Sequence, residues 1–283
     1  EETIVEILAG KPFEEINGIS YRKGDKIIHN KDSVFIQDLD SLPFPARDLL
    51  PMNKYFSFET RRPIIDYIVS GRGCPYRCTF CADFITSGRK LRIRSAKNIV
   101  AEIEHLIENF GVQEIDFQDD NFTFYVDRVF EFCDLMIKKG LNKKIIWRVS
   151  NGVRCDKLTL PMLKKMKEAG CKVIYFGIES FSVQALSSAG KGAAVADARK
   201  AVDMTLAAGI KPAAFLLLGL PGETRESLKA MVRFVKDNQI LVTPYIICPI
   251  PGTPLFELAR PQIPDMRDYL RHCSNWENRQ LAE

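Results

Sequence analysis

Three cysteines, Cys74, Cys78 and Cys81, stand at C-x3-C-x2-C spacing within Gly71-Arg72-Gly73-Cys74-Pro75-Tyr76-Arg77-Cys78-Thr79-Phe80-Cys81. The glycines and Pro75 break any helix or strand there, leaving a loop free to wrap its sulfurs around one metal centre. Soft thiolates suit zinc or an iron–sulfur cluster. Structural zinc asks for a fourth ligand; the next cysteine, Cys133, lies far along the chain in a helical stretch, and His29, His105 and His272 are all distant. Ordinary ferredoxin clusters take four cysteines at other spacings. A three-cysteine loop around a four-iron cluster leaves one iron open to chelate a substrate or cofactor. The remaining Cys133, Cys155, Cys171, Cys248 and Cys273 show no metal spacing and read as small core residues.

Further polar groups fall at strand ends. Asp119 and Asp120 are adjacent carboxylates, readable as a charged site or as a turn capping the next helix. Glu179 closes an apolar strand buried on both sides, so its carboxylate needs hydroxyl donors, a cation or a structural ion-pair partner. Ser150 and Asn151 hold the same kind of position with a weaker signal. Arg89-Lys90-Leu91-Arg92-Ile93-Arg94 is the dense basic run and reads first as a solvated face, second as a contact for an anionic substrate or redox partner.

The elements that must position these groups alternate short apolar runs with longer amphipathic ones, the pattern of repeated βα units on a parallel sheet. Six runs read as strands: 66–70, 114–117, 145–149, 173–176, 213–218 and 241–248. Ile99, Ile103, Leu106, Ile107 and Phe110 recur at helical spacing behind Ser95, and Gly111 closes that helix. Further helices are expected over 126–139, from Thr159 to Gly170, over 195–208, and from Thr224 to about Asn238. Six parallel units are two short of a closed eightfold barrel, which predicts an open three-quarter (β/α)6 barrel of TIM type. The cysteine loop, Gln118-Asp119-Asp120-Asn121, Ser150-Asn151-Gly152, Gly177-Ile178-Glu179-Ser180, Gly219 to Thr224 and Pro249 to Thr253 each follow one strand, where such a barrel builds its site.

Before the barrel, residues 1–60 read as a short helix ending at Gly10, a hairpin around Gly24-Asp25, and a proline-bearing strap from Asp38 to Arg47. The chain opens in mid-pattern, as an excised fragment would. The expected divisions are a linker segment at 1–60, the core at 61–254 and a truncated helical extension at 255–283, with a polar helix near Asp265 to Cys273 and an exposed Trp276. Of 283 residues 46% are hydrophobic and 27% charged, as in an ordinary globular domain. The net charge of +4, without a long basic run, does not indicate nucleic-acid binding. Eight cysteines without a signal peptide point to a reducing, cytoplasmic compartment. No stretch of about twenty apolar residues is long enough to span a membrane.

The cysteine spacing, with Phe80 just before the last cysteine, resembles the radical S-adenosylmethionine (SAM) superfamily. The strap and the Pro249-Ile250-Pro251-Gly252-Thr253-Pro254 run resemble its cobalamin-binding members. The resemblance implies a [4Fe–4S] cluster on Cys74, Cys78 and Cys81 and a bound SAM, cleaved reductively to a 5′-deoxyadenosyl radical that abstracts hydrogen. It places Asp119 or Asp120 at the methionyl amine, Glu179 at the ribose or methionyl group, and Ser150, Leu217, Gly219 and Phe80 in the cofactor site, with Leu217 and Gly219 against adenine. It implies methylation or cyclisation of an unactivated small-molecule or lipid-like substrate, and a reductant such as flavodoxin or ferredoxin. Cobalamin would come through an upstream domain outside this chain, since no D-x-H-x-x-G motif is present. Two alternatives are an RNA-modifying methylthiotransferase, which would need further modules, and an iron–sulfur electron carrier that makes no radical. No residue is singled out as a general acid or second hydrogen donor.

Overall fold

The computed structural model describes residues 1–56, 65–263 and 265–266. The expected polar helix at 265–273 and Trp276 fall almost wholly outside them. The chain divides into two compact units, Glu1–Gln37 and Asp38–Glu283. In the smaller, helix α1 (Glu2–Leu8) precedes the hairpin of β1 (Ser20–Lys23) and β2 (Lys26–His29), antiparallel with Lys23 opposite Lys26.

In the larger unit the strap packs on the core instead of grouping with residues 1–37. Arg47 is buried, pairing with Asp66 and with Glu102 at 2.6 Å and donating to the Tyr67 carbonyl at 3.2 Å. Asp40 accepts from the Ser95 amide at 2.9 Å.

The chain then runs β3 (Ile65–Ile68), β4 (Gly71–Arg72), α2 (Asp83–Thr86), β5 (Arg92–Ile93), α3 (Ala96–Phe110), β6 (Glu114–Phe117) and α4 (Val126–Lys138). It continues with β7 (Ile146–Val153), α5 (Leu160–Glu168), β8 (Cys171–Glu179), α6 (Val183–Ser188) and α7 (Val195–Ala207). Last come β9 (Lys211–Leu218), α8 (Arg225–Asp237), β10 (Leu241–Ile246) and α9 (Pro254–Ala259). Strands β3, β6, β7, β8, β9 and β10 form one sheet in that order, every neighbouring pair parallel. This is the open (β/α)6 partial barrel. β4 and β5 pair separately, antiparallel, and carry the segment around the cysteine loop.

Period-two alternation sorts the sheet's two faces. Ile115, Phe117, Trp147, Val149, Ile174 and Phe176 turn toward the helices and pack on Ile103, Phe132, Met162 and Val202 in one core. Phe117, Phe132 and Trp147 meet edge to face at 5.3–5.7 Å between centroids, geometry that ring quadrupoles favour. The opposite face carries Glu114, Asp116 and Arg148, all buried, with Arg148 Nε 2.8 Å from Asp116 Oδ2. Val173, Tyr175 and Ala213 fill it farther along the sheet.

Two details differ from expectation. Ser150, Asn151 and Gly152 lie within β7, whose register against β8 slips between Val149 and Val153, so they form a bulged strand end instead of a loop after it. The strand is longer because Ser150 has partners on the inner face: it donates to Asp116 Oδ1 and accepts from Gln118 Nε2. The basic run at 89–94 is not a free solvated face: Arg94 pairs with buried Glu102, Arg92 is itself buried and donates to the Ser87 carbonyl at 2.7 Å, and Arg89 donates to the Tyr76 carbonyl at 2.8 Å.

Candidate metal and cofactor site

The cysteine loop leaves β4 at a place only glycine fits. Gly73 has φ +93°, and a Cβ there would stand 2.6 Å from the Lys90 carbonyl oxygen. The turn brings Cys74, Cys78 and Cys81 to one pocket with Tyr76, Asp83, Phe84 and Arg89. All three thiols are free and half-buried. Burial pushes each of them up; neighbouring thiols and Asp83 add to the rise at Cys74 and Cys81, while at Cys78 Lys191 and Arg154 act against it and Glu179 with it. Among the described residues no three His, Cys, Asp or Glu side chains are grouped to hold a single metal ion. Three thiols lining one pocket on a short loop fit a cluster, whose cysteine-bound irons occupy separate corners.

The walls come from distant elements. Thr79 donates its amide to the Ala189 carbonyl at 2.9 Å and its hydroxyl to the Ser188 carbonyl at 3.0 Å, and its own carbonyl accepts from the Leu255 amide at 3.0 Å. Arg154 stacks its guanidinium over Tyr76, 3.8 Å from the ring centroid, while pairing with Asp156. Phe80 packs on an apolar cluster that includes Leu217, Leu220 and Ile247, so two expected cofactor contacts share one wall.

Adjacent carboxylates take different places. Asp119 is buried, accepts from the Ser70 amide and hydroxyl, both at 2.5 Å, and lies 3.5 Å from Arg128 Nη2. Asp120 accepts from the Gly73 amide at 2.8 Å, at the root of the cysteine loop. Burial, reinforced by neighbouring Asp83, raises the Asp120 carboxyl to about 6.

Glu179 ends β8 with φ +64°, the left-handed region where a residue bearing a Cβ is strained. Its Oε1 accepts from Lys191 Nζ at 2.7 Å, and both residues are buried. Gly219, just past β9, donates its amide to Glu223 Oε2 at 2.9 Å, and Ser180 donates to the other oxygen of Glu223 at 2.8 Å. Arg128, Lys191 and Glu223 escaped the sequence reading. Glu223 stood in the Gly219 to Thr224 motif, and Lys191 between two glycines, but the partners of all three become visible only when distant strand ends meet.

The profile of the radical SAM superfamily matches residues 68–235, which contain the cysteine loop and all of the wall residues but Leu255 and Ile247. The chain belongs to the radical SAM superfamily. Among curated relatives it is 32% identical over 260 residues to an uncharacterized methyltransferase, PH0819, of Pyrococcus horikoshii, covering 92% of this chain and 55% of that protein. It is 30% identical over 259 residues to the anaerobic magnesium-protoporphyrin IX monomethyl ester cyclase of Cereibacter sphaeroides, covering 91% of this chain and 42% of the cyclase. The chain thus spans about half the length of the curated relatives it matches. Its fold matches the radical SAM methyltransferase TsrM of Kitasatospora setae, solved with cobalamin and a [4Fe–4S] cluster bound, at a TM-score of 0.71 and 18% identity, covering 93% of this chain and 52% of TsrM. At that identity the likeness speaks for the fold. Radical SAM membership implies a [4Fe–4S] cluster and SAM, and the three-thiol pocket fits the first. No helix among the described residues is long and apolar enough to cross a membrane.

Proposed function

We propose that this radical SAM chain binds a [4Fe–4S] cluster through Cys74, Cys78 and Cys81 and holds SAM at the carboxyl edge of its sheet, for hydrogen abstraction from an unactivated substrate. The observation that carries this reading is the single pocket shared by the three thiols, with Asp120 bonded to the root of the loop and Glu179 on the neighbouring wall. Bound there, the cluster would supply the electron that cleaves the SAM sulfonium to methionine and a 5′-deoxyadenosyl radical. The protein's part is to bind and aim. Asp120, not tied up by an arginine as Asp119 is, is the carboxylate for the methionyl amine. Glu179, with Oε1 committed to Lys191, offers Oε2 to the ribose. Phe80 and Leu217 form the apolar wall for adenine, and Gly219 lets the backbone approach it. Ser150, held by Asp116 and Gln118 on the inner face, is the hydroxyl we assign to the cofactor site.

The reaction we favour is methylation or cyclisation with cobalamin. Its support is likeness: relatives named methyltransferase and cyclase, and a fold neighbour solved with cobalamin. A soluble one-electron donor of the flavodoxin or ferredoxin type and a small-molecule or lipid-like substrate complete the reading.

The test is anaerobic reconstitution with iron and sulfide, reduction with dithionite, addition of SAM and assay for 5′-deoxyadenosine. Wild type should produce it and Cys78→Ala should neither produce it nor retain the cluster chromophore. A wild type that loads iron and binds SAM without cleaving it would overturn the radical reading. Cobalamin is tested separately, by the visible spectrum of protein purified from cells given hydroxocobalamin.

A further inference from the structure

Lys191 is a buried lysine whose side chain pairs with buried Glu179. The chain segment carrying it is locked to the cysteine loop: residues 188 and 189 accept the two hydrogen bonds that Thr79 donates, and a Cβ on Gly190 would stand 2.9 Å from the Arg77 carbonyl oxygen. Lys191 therefore follows directly on a segment in van der Waals contact with residues 77–79, which include Cys78. Arg154, stacked on Tyr76, fixes the lysine backbone by donating to the Lys191 carbonyl at 2.6 Å.

Two costly features serve the lysine side chain. Glu179 holds its strained left-handed backbone while its carboxylate meets Nζ at 2.7 Å. Gly177 leaves the space: a Cβ there would lie 2.6 Å from Lys191 Nζ and 2.7 Å from Glu179 Oε1. Burying an ion pair is weak as a means of stabilising a fold. A strained glutamate, an empty glycine position and a desolvated lysine, next to a segment packed on the cysteine loop, call for another reason.

We propose that Lys191 is a positioning residue and counter-ion for the metal centre, its ammonium shared between Glu179 and the Cys78 side of the cluster, and that the pair sets the potential at which the cluster accepts an electron. The inference rests on the reading of Cys74, Cys78 and Cys81 as cluster ligands. In the step concerned, one electron passes from the reductant to the cluster, whose charge becomes one unit more negative; no bond forms or breaks. A fixed positive charge close by favours the reduced form, and a carboxylate close by opposes it. The packing of residues 188–190 on residues 77–79 and the 2.7 Å contact of Nζ with Glu179 put one charge of each sign on that side of the loop.

The test is a redox titration of the reconstituted protein without SAM, followed by the electron paramagnetic resonance of the reduced cluster, with iron and sulfide content measured for every variant. Lys191→Met should disfavour reduction by about tenfold, ~59 mV for one electron. Lys191→Arg, which keeps the charge, should titrate within about twofold of wild type. Glu179→Gln should move the other way and favour reduction, because the ammonium then acts unopposed. Opposite shifts from the two partners, with rescue by arginine, support the proposal; a purely structural pair would shift both alike or neither. Unmoved potentials, or shifts of one sign, overturn it. If Lys191→Met takes up no cluster, the Glu179→Gln and Lys191→Arg titrations decide alone. A wild type that holds no iron–sulfur chromophore refutes the cluster reading itself, which a loaded wild type with unmoved variants does not.

Discussion

The ends of β6 and β8 carry equivalent chemistry put to different uses. Each presents a buried carboxylate with a buried cation beside it: Asp119 with Arg128, Glu179 with Lys191. Asp119 sits in a relaxed backbone and is saturated by Ser70 and Arg128, while Arg128 also donates to the Ser70 carbonyl at 3.2 Å and the Phe122 carbonyl at 2.7 Å. That carboxylate joins the first strand end to α4. Glu179 sits in a strained backbone with a single cation on one oxygen. Where polar groups are satisfied from every side the fold gains stability; where strain is kept and an oxygen is left over, a ligand has something to bind.

The sharpest way to break this contrast is to delete both partnerships and compare stability by urea denaturation of the iron-free protein. Asp119→Ala should cost ~3–5 kcal/mol, because Arg128 is left as an uncompensated buried charge and the Ser70 amide loses its acceptor. Glu179→Gly combined with Lys191→Met should stay within ~1 kcal/mol of wild type, relief of strain offsetting the lost pair. Equal losses at the two ends would show that both pairs are structural. A smaller effect is expected from Gly177→Ala, ~1–3 kcal/mol, since the new methyl must push the Lys191 and Glu179 side chains apart. If SAM binding depends on the Glu179 carboxylate, that variant should also retain less SAM after gel filtration.

The smallest effect concerns Asp120. Its carboxyl in the fold titrates near 6, against ~3.9 in an unfolded chain. The folded state therefore holds a proton that the unfolded state has released between these values, and stability is full below about pH 4 and lost as pH rises through 6. Asp120→Asn should remove that loss: in iron-free protein a gain of ~1 kcal/mol at pH 7.5 and none near pH 4, read from paired denaturation curves. A gain of the same size at both pH values would show that the carboxyl is not held protonated in the fold.

Much of this architecture was legible in the residues themselves. Helix α3 runs from Ala96 to Phe110 as its periodicity requires, with Ser95 accepting from the Asn98 amide as its cap. The six parallel strands stand where apolar runs alternate with amphipathic ones. What escaped was set by contacts distant in sequence. Helix α6, Val183–Ser188, is too short for a periodic signal, although Ser182 caps it through the Ala185 amide. The bulged end of β7 is held by Asp116 and Gln118, more than thirty residues away. The basic run at 89–94 reads as solvated because its partners Glu102, Tyr76 and Ser87 cannot be read as partners from a charge pattern.

By itself the sequence determined the chemistry of the centre, three thiols within eight residues on a loop that glycine and proline keep out of helix or strand, and the period-two and helical rhythms that build the sheet and its cover. Both are short-range: spacing and backbone preference act over a few residues. Only the tertiary structure decided which of two neighbouring aspartates is sealed by an arginine, which glutamate bears the strain, and that a lysine over a hundred residues from the cysteine loop comes to stand beside it. Those outcomes depend on desolvation and on opposite charges meeting in space. Neither exists for a residue until the rest of the chain has folded over it.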